Sequence, residues 1–238
     1  MKITVIGDIH GNKYALDCVL LHINNRDVDV IVSTGDLVGY LPYPNEVIDL
    51  IREHKIMVVQ GNHDKVIAES RKINLDEINR MSTPEIHKSA SAAFTNWCIT
   101  NENREFLKNL CSKLVFECGD KKVVVVHGSP MRIDEYLYEE EEHLAQVSEL
   151  ISEDVIICGH THIPYFKQVH GKYFINAGSV GKPKHGDSQG TYVIVEIKKG
   201  TVSCSIEEVE YDVNQMMQDI ENHPMISDSL VDQLRQGK

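Results

Sequence analysis

The sequence predicts an α/β fold in which parallel strands come first and antiparallel hairpins later, as one mixed sheet or two sheets packed together, with helices outside. Three observations carry this expectation. Between Lys2 and Gln60, short β-branched runs alternate with stretches of helical periodicity. Later apolar runs are joined by short turns at Gly119-Asp120, His170-Gly171 and Lys198-Lys199-Gly200, which are hairpin signals. The chain has 238 residues, 42% of them hydrophobic, enough for one large α/β domain with a substantial core.

Lys2 to Gly7 (KITVIG) reads as a strand that ends abruptly in Asp8-Ile9-His10-Gly11-Asn12. Asn12 is placed to cap a helix carrying Leu16, Val19, Leu20 and Ile23 at helical spacing. Asp29 to Ser33 returns as a buried strand and runs into Thr34-Gly35-Asp36. A right-handed crossover makes these two strands parallel, so Asp8 and Asp36 leave the sheet on the same edge. A proline-stiffened loop, Leu37 to Tyr43, then feeds a helix with Pro44 in its first turn and Val47, Ile48 and Ile51 as its apolar face. The third strand, Ile56 to Gln60, ends in Gly61-Asn62-His63-Asp64.

Residues 65 to about 111 carry no strand pattern and read as a helical insertion. One helix is expected over Pro84 to Thr100, with Ile86, Ala90, Ala93, Phe94 and Trp97 on one face, and another over Glu102 to Leu110 behind an Asn101 cap. The strand Lys121 to Val126, paired through Gly119-Asp120 with Lys113 to Cys118, ends in His127-Gly128-Ser129-Pro130. The acidic run Glu135 to Glu142 opens a helix, where carboxylates suit the positive end of the dipole. Asp154 to Cys158 is another buried strand and ends in Gly159-His160-Thr161-His162. Two hairpins complete the strands, Tyr165 to Val169 with Lys172 to Ile175 and Thr191 to Ile197 with Thr201 to Val209. One domain is expected over residues 1–211, followed by a helical extension over 212–238 that is interrupted near Pro224.

Composition removes several classes of function. A net charge of −12 disfavours nucleic acid as a partner, because that binding needs a basic face to displace counterions. The same acidic shell repels phosphates, so any phosphate chemistry needs a local positive charge, for which a metal centre is the obvious source. The six cysteines lie far apart with no C-x-x-C, so neither disulfides nor thiolate metal sites are expected. No apolar run approaches the ~20 residues of a membrane span and no signal-peptide pattern is present, which reads as a cytoplasmic protein.

The strand ends are the informative positions. Five separate apolar runs deliver Asp8 and His10, Asp36, Asn62 and His63, His127, and His160 and His162 at their carboxyl ends, where ligands of open α/β sheets collect. Each alone could be a turn residue, but so many unpaired carboxylates and imidazoles on one edge demand compensation. Divalent cations supply it. Carboxylate, imidazole and amide oxygen without thiolate suit Mn, Fe, Zn or Ni better than Mg or a structural zinc, with Mn favoured. The donors are too many for one ion and suit two, roughly 3.5 to 4 Å apart, with one carboxylate shared.

Asp8-x-His10, Gly35-Asp36, Gly61-Asn62-His63-Asp64, His127-Gly128 and Gly159-His160-Thr161-His162 resemble, in order, the five signature blocks of the calcineurin-like metallophosphoesterases. Gly35-Asp36-Leu37-Val38-Gly39-Tyr40, Pro44-Asn45-Glu46 and Gly178-Ser179-Val180-Gly181 are similar to further markers of the small bacterial and archaeal phosphodiesterase-like branch. Leu41, Ala177 and Lys184 depart from that branch, at positions that bear on substrate rather than on metal.

The resemblance implies a four-layer αββα sandwich of two mixed sheets. It implies one metal on Asp8, His10 and His162, a second on Asn62, His127 and His160, and Asp36 bridging both. Hydroxide between the metals then attacks a small phosphate ester, His63 assists the leaving oxygen, and Asp64 orients the His63 ring. A phosphodiesterase is the leading expectation. A symmetrical dinucleoside-tetraphosphatase or a protein serine/threonine phosphatase fits the same core. A noncatalytic protein-binding scaffold, as in the retromer subunit of this superfamily, is opposed by the intact His63-Asp64. Asn12, Tyr40 and Lys182 adjoin the motifs and are candidates for substrate contact.

Overall fold

Alternation along the central strands decides between one sheet and two. In the computed structural model, which describes residues 1–238, Val123 and Val125 face one apolar layer while Val124 and Val126 face another. Val155 and Ile157 alternate in the same way with Ile156 and Cys158. A strand buried on both faces needs a partner layer on each side, and here one partner is a second sheet and the other a helix.

The chain runs β1 (Lys2–Ile6), α1 (Lys13–Asn24), β2 (Val30–Ser33), α2 (Pro44–Glu53), β3 (Met57–Val58), α3 (Asn62–Glu69), α4 (Leu75–Ile78), α5 (Thr83–Ile86), α6 (Lys88–Cys98) and α7 (Asn101–Lys108). It continues with β4 (Leu114–Cys118), β5 (Lys121–Val125), α8 (Glu141–Leu150), β6 (Val155–Cys158), β7 (Tyr165–Val169), β8 (Lys172–Asn176), β9 (Gly190–Lys198), β10 (Thr201–Val209), α9 (Val213–Glu221) and α10 (Ser229–Gln236). One five-stranded sheet has the order β10-β9-β1-β2-β3 and the other β4-β5-β6-β8-β7. β1 pairs parallel with β2 from Ile3 opposite Val30 to Ile6 opposite Ser33, which brings the Asp8 and Asp36 loops to one edge. β5 pairs parallel with β6, and so His127 and His160 also emerge together.

Ile3, Val5, Val32, Val193 and Val195 from the first sheet meet Val123, Val125, Val155, Ile157 and Ile175 from the second in the middle layer. Helices α1 and α2 cover the outer face of the first sheet through Leu16, Val19, Ile48 and Ile51. Helix α8 covers the second through Leu144 and Val147. The result is the αββα sandwich. Helices α9 and α10 pack with Leu41 and Phe94 in a separate apolar cluster. No helix is long and apolar enough to cross a membrane.

Three local expectations need correction. The helix expected over Pro84 to Thr100 is broken, because Ser89, Ala90 and Ser91 all take left-handed φ of 56 to 58°. The carbonyl of Ala90 is turned to accept the Tyr40 N–H at 2.7 Å, so a tertiary contact overrides good helical periodicity. Helix α8 begins only at Glu141, which leaves Glu135 to Glu139 in a loop. The Gly61-Asn62-His63-Asp64 turn is itself the start of α3, with Gly61 as N-cap.

Ile157 lies in the middle layer with no exposed surface. Truncating a fully buried Ile removes its transfer energy and leaves a cavity. Ile157→Ala should therefore lower the unfolding free energy by about 2–5 kcal/mol in urea titrations.

Candidate metal centre

The donors sit on loops that most residues would avoid. Asp8, His10, Asp36, His160 and His162 all have positive φ, between 51 and 65°. Left-handed backbone costs an L-residue about 1–2 kcal/mol, and Asp and His are among the residues that tolerate it best. Such strain persists only where surrounding structure over-determines it. Here the loops are zipped together: Asp8 N–H donates to Gly35 O, Ile9 and His10 N–H to Asp36 O, and Gly11 N–H to Leu37 O, each at 2.9 Å. Glycines allow the closest approaches. A Cβ on Gly61 would lie 2.1 Å from Asp36 Oδ1, and one on Gly159 2.4 Å from Asp8 Oδ2.

Backbone carbonyls fix the imidazole tautomers. Nδ1 of His10 donates to Val38 O at 3.1 Å, Nδ1 of His127 to Thr34 O at 2.8 Å, and Nδ1 of His162 to Lys182 O at 2.5 Å. Each Nε2 is therefore a lone pair directed into the site. Nε2 of His10 faces Nε2 of His162 at 3.2 Å, and His162 Nε2 also lies 3.2 Å from Asp8 Oδ1. Nε2 of His127 faces Asn62 Oδ1 at 2.9 Å, His160 Nδ1 at 3.1 Å and Asp36 Oδ2 at 3.3 Å. The buried Nε2 of His160 has no partner.

Asp36 is the hinge of the cluster. Its Oδ2 lies 3.3 Å from His127 Nε2, 3.7 Å from His10 Nε2 and 3.9 Å from His63 Nε2, while its Oδ1 accepts the His63 N–H at 2.9 Å. Ligand atoms of Asp8, His10 and His162 lie within 4.8 Å of one another, as do those of Asp36, His127 and His160, and those of His10, Asp36 and His63. Asn62 adds its amide oxygen to the second group through His127. All seven residues assigned to metal from the sequence thus converge on one place.

Charge is unbalanced there. Burial raises the Asp36 carboxyl, but His127, His63 and His10 more than offset it and hold it well below the usual carboxylate range. Burial lowers His127, yet Asp36 and Asp8 push it up to about 9. A proton on His127 can answer some of these acceptors, but it does not reach the Nε2 atoms of His10 and His162 that face each other at 3.2 Å. A divalent cation accepts electron pairs from every donor of a group at once. Nitrogen and oxygen donors whose outer nitrogens are held by carbonyls are what such ions require.

His63 stands apart from the carbonyl-anchored rings. It is wedged edge-on against His10, with centroids 5.1 Å apart, and tilted against Tyr40 at the same distance. The expectation that Asp64 orients this ring is corrected. Both Asp64 oxygens are taken by backbone, accepting N–H from Asp36 at 2.9 Å, Leu37 at 2.9 Å, Val38 at 3.3 Å and Gly61 at 3.0 Å. Asp64 holds the loop that carries Asp36, while the His63 backbone is tied to Asp36 and its ring is held by packing.

The remaining candidates divide. Asn12 caps α1 through Ala15 N–H and donates to Gly181 O, so its polar atoms are engaged away from substrate. Lys182 donates to Lys238 O at 3.1 Å and lies 5.2 Å from the Tyr40 ring centroid. Ser129 and Ser179 spend their hydroxyls on turns. Lys184, a departure that bears on substrate, donates its backbone N–H to His162 O at 3.2 Å, and burial lowers its ammonium while Asp8 and Asp36 pull it back up. One residue near the donors escaped the motif reading. Tyr136 stacks on His160 with centroids 4.0 Å apart. The only sequence signal for Tyr136 was an aromatic residue in the loop after a His-Gly block.

Residues 1–200 match the family model of the calcineurin-like phosphoesterase superfamily domain. The chain belongs to that superfamily. A metallophosphoesterase from Sphaerobacter thermophilus is 30% identical, with a TM-score of 0.82 over 100% of this chain and 99% of that one. An uncharacterized protein of Methanocaldococcus jannaschii is 34% identical over 92% of this chain and 91% of its own length. A hypothetical protein of Pyrococcus horikoshii, 23% identical, shares the fold with a TM-score of 0.87 over 100% of this chain and 98% of that one. The calcineurin-like phosphoesterases are metal-dependent, and the His and Asp groups of this member could bind metals.

Asp64→Ala removes the acceptor for all these N–H groups, and buried N–H groups left unpaired cost about 1–3 kcal/mol each. It should lower the melting temperature and the metal content of purified protein together. A side chain that served only to orient His63 would leave both unchanged.

Proposed function

We propose that the protein is a metal-dependent phosphodiesterase with a centre of two divalent ions, Mn favoured. The reading is carried by one observation: imidazole nitrogens, an amide oxygen and the carboxylates of Asp8 and Asp36 crowd together with too few protons between them. Asp8, His10 and His162 would hold one ion, Asn62, His127 and His160 the other, and Asp36 both. When bound, the ions supply positive charge that polarises the phosphoryl oxygens and acidifies a water.

The chain's own groups do the rest. The carbonyls of Val38, Thr34 and Lys182 keep the tautomers in which Nε2 stays free to bind. Burial of Asp8, Asp36 and His10 excludes water and strengthens every charge interaction inside. His63 differs in having no carbonyl on its ring nitrogens and a side chain 22% exposed, so it can carry a proton to the departing oxygen. Water adds across the P–O bond: its oxygen bonds to phosphorus and a proton goes to the leaving alcohol. No protein nucleophile is needed.

His63→Ala should retain the metals but lose about 10²- to 10⁴-fold in kcat on esters with poor leaving groups, the usual range for a proton donor. It should lose far less on 4-nitrophenyl esters, whose leaving group needs no proton. Equal losses on both would remove His63 from that role. The substrate class is tested on Mn-loaded protein with bis(4-nitrophenyl) phosphate, 4-nitrophenyl phosphate, diadenosine tetraphosphate and a phosphopeptide. The diester should show the highest kcat/KM. A preference for any of the others would replace this reading with the matching phosphatase.

A further inference from the structure

Two different surfaces adjoin the donors. Beside His63 and Asn62, a cavity of about 220 Å³ is also lined by Gly39, Tyr40, Val66 and Ala90. Its far wall is the left-handed Ser89 to Ser91 segment, held by Tyr40 N–H to Ala90 O at 2.7 Å and by Ser91 Oγ to Tyr40 O at 3.0 Å. Pockets that enclose a whole drug-sized ligand start at roughly 300 Å³. This one has room for a single organic arm, and that arm lies against His63.

Beside His160 there is a step of tyrosines. Tyr136 stacks on His160 at 19°, and Tyr138 lies nearly parallel to Tyr136, at 11°, with centroids 5.8 Å apart. Both residues are exposed, at 45% and 41%. The backbone beneath them is fixed from both sides. Ser129 Oγ accepts the N–H of Met131 and of Arg132 and donates to Glu135, while Leu137 is fully buried and its carbonyl accepts the Tyr165 hydroxyl at 3.0 Å. Exposed aromatic faces on a rigid loop are a stacking platform prepared in advance of binding. Asp134, Glu135 and the run Glu139 to Glu142 flank the tyrosines in sequence, and so acidic a stretch favours a neutral ring over a second phosphate.

We propose that the centre holds a diester by two unlike arms: the leaving arm sits in the cavity beside His63, and the retained arm stacks a neutral aromatic ring of the nucleobase type on Tyr136 and Tyr138. This rests on the phosphodiesterase reading above. It makes Tyr136 a specificity residue and Val66 the gatepost of the leaving-group cavity. A monoester, with one arm, would leave one of the two surfaces unused.

The test uses full-length Mn-loaded protein with two substrates that share a leaving group, thymidine 5′-(4-nitrophenyl) phosphate and methyl 4-nitrophenyl phosphate. Stacking one base is worth enough for about a tenfold effect. Tyr136→Ala should therefore lower the ratio of kcat/KM for the thymidine ester to that for the methyl ester about tenfold, mainly through KM. Tyr136→Phe should keep the ratio, and both variants should keep wild-type metal content by elemental analysis. Val66→Trp should select against a 4-methylumbelliferyl leaving arm relative to 4-nitrophenyl. An unchanged ratio in Tyr136→Ala, or loss of metal from it, would overturn the proposal and leave Tyr136 as a cover for His160. Hydrolysis of neither diester by the wild type would overturn the phosphodiesterase reading itself, and this inference with it.

Discussion

Everything around the site depends on one electrostatic constraint: more electron pairs converge on Asp36 than the protein has protons to satisfy. Folding apolar strands into a shared edge is inexpensive, but aiming imidazoles and carboxylates at one another in a buried space is not. The chain meets that cost locally. Each of His10, His127 and His162 donates an Nδ1–H hydrogen bond to a backbone carbonyl, and Asp64 accepts hydrogen bonds from the N–H groups of the turn that bears Asp36. These contacts hold the donors in place without neutralising them. What they leave is a set of fixed lone pairs, which is the chemical description of a site for divalent cations.

The sandwich exists to present that set. Parallel pairing of β1 with β2 and of β5 with β6 sends four loops toward one edge, and packing Val5 and Val193 against Ile157 and Ile175 fixes the two sheets as a unit. The Asp8 loop belongs to one sheet and the His160 loop to the other, yet His160 N–H donates to the Asp8 carboxylate at 3.0 Å. The centre is therefore also a seam between sheets. Its geometry is set by the packing of the middle layer as much as by the loops.

Much of this was legible in the residues. The continuous apolar runs in Lys121 to Val126 and Asp154 to Cys158, the turn residues between hairpin arms, and the polar cluster after each strand are local patterns, and local patterns survive in a sequence. What was not legible depends on distant contacts. The break at Ser89 to Ser91 follows from a carbonyl turned toward Tyr40, and no property of those residues announces it. The role of Asp64 was misread because adjacency to His63 suggested a partner, whereas the backbone groups it serves lie 26 to 28 positions earlier as well as at Gly61. Tyr136 was missed for the same reason: its stacking on His160 joins loops from different strands.

The proposal that the crowded electron pairs meet two divalent ions is tested most directly by titrating Mn²⁺ into chelator-stripped protein in a calorimeter. Two equivalents per chain are expected to bind. A wild-type chain, folded by circular dichroism, that binds none would contradict it.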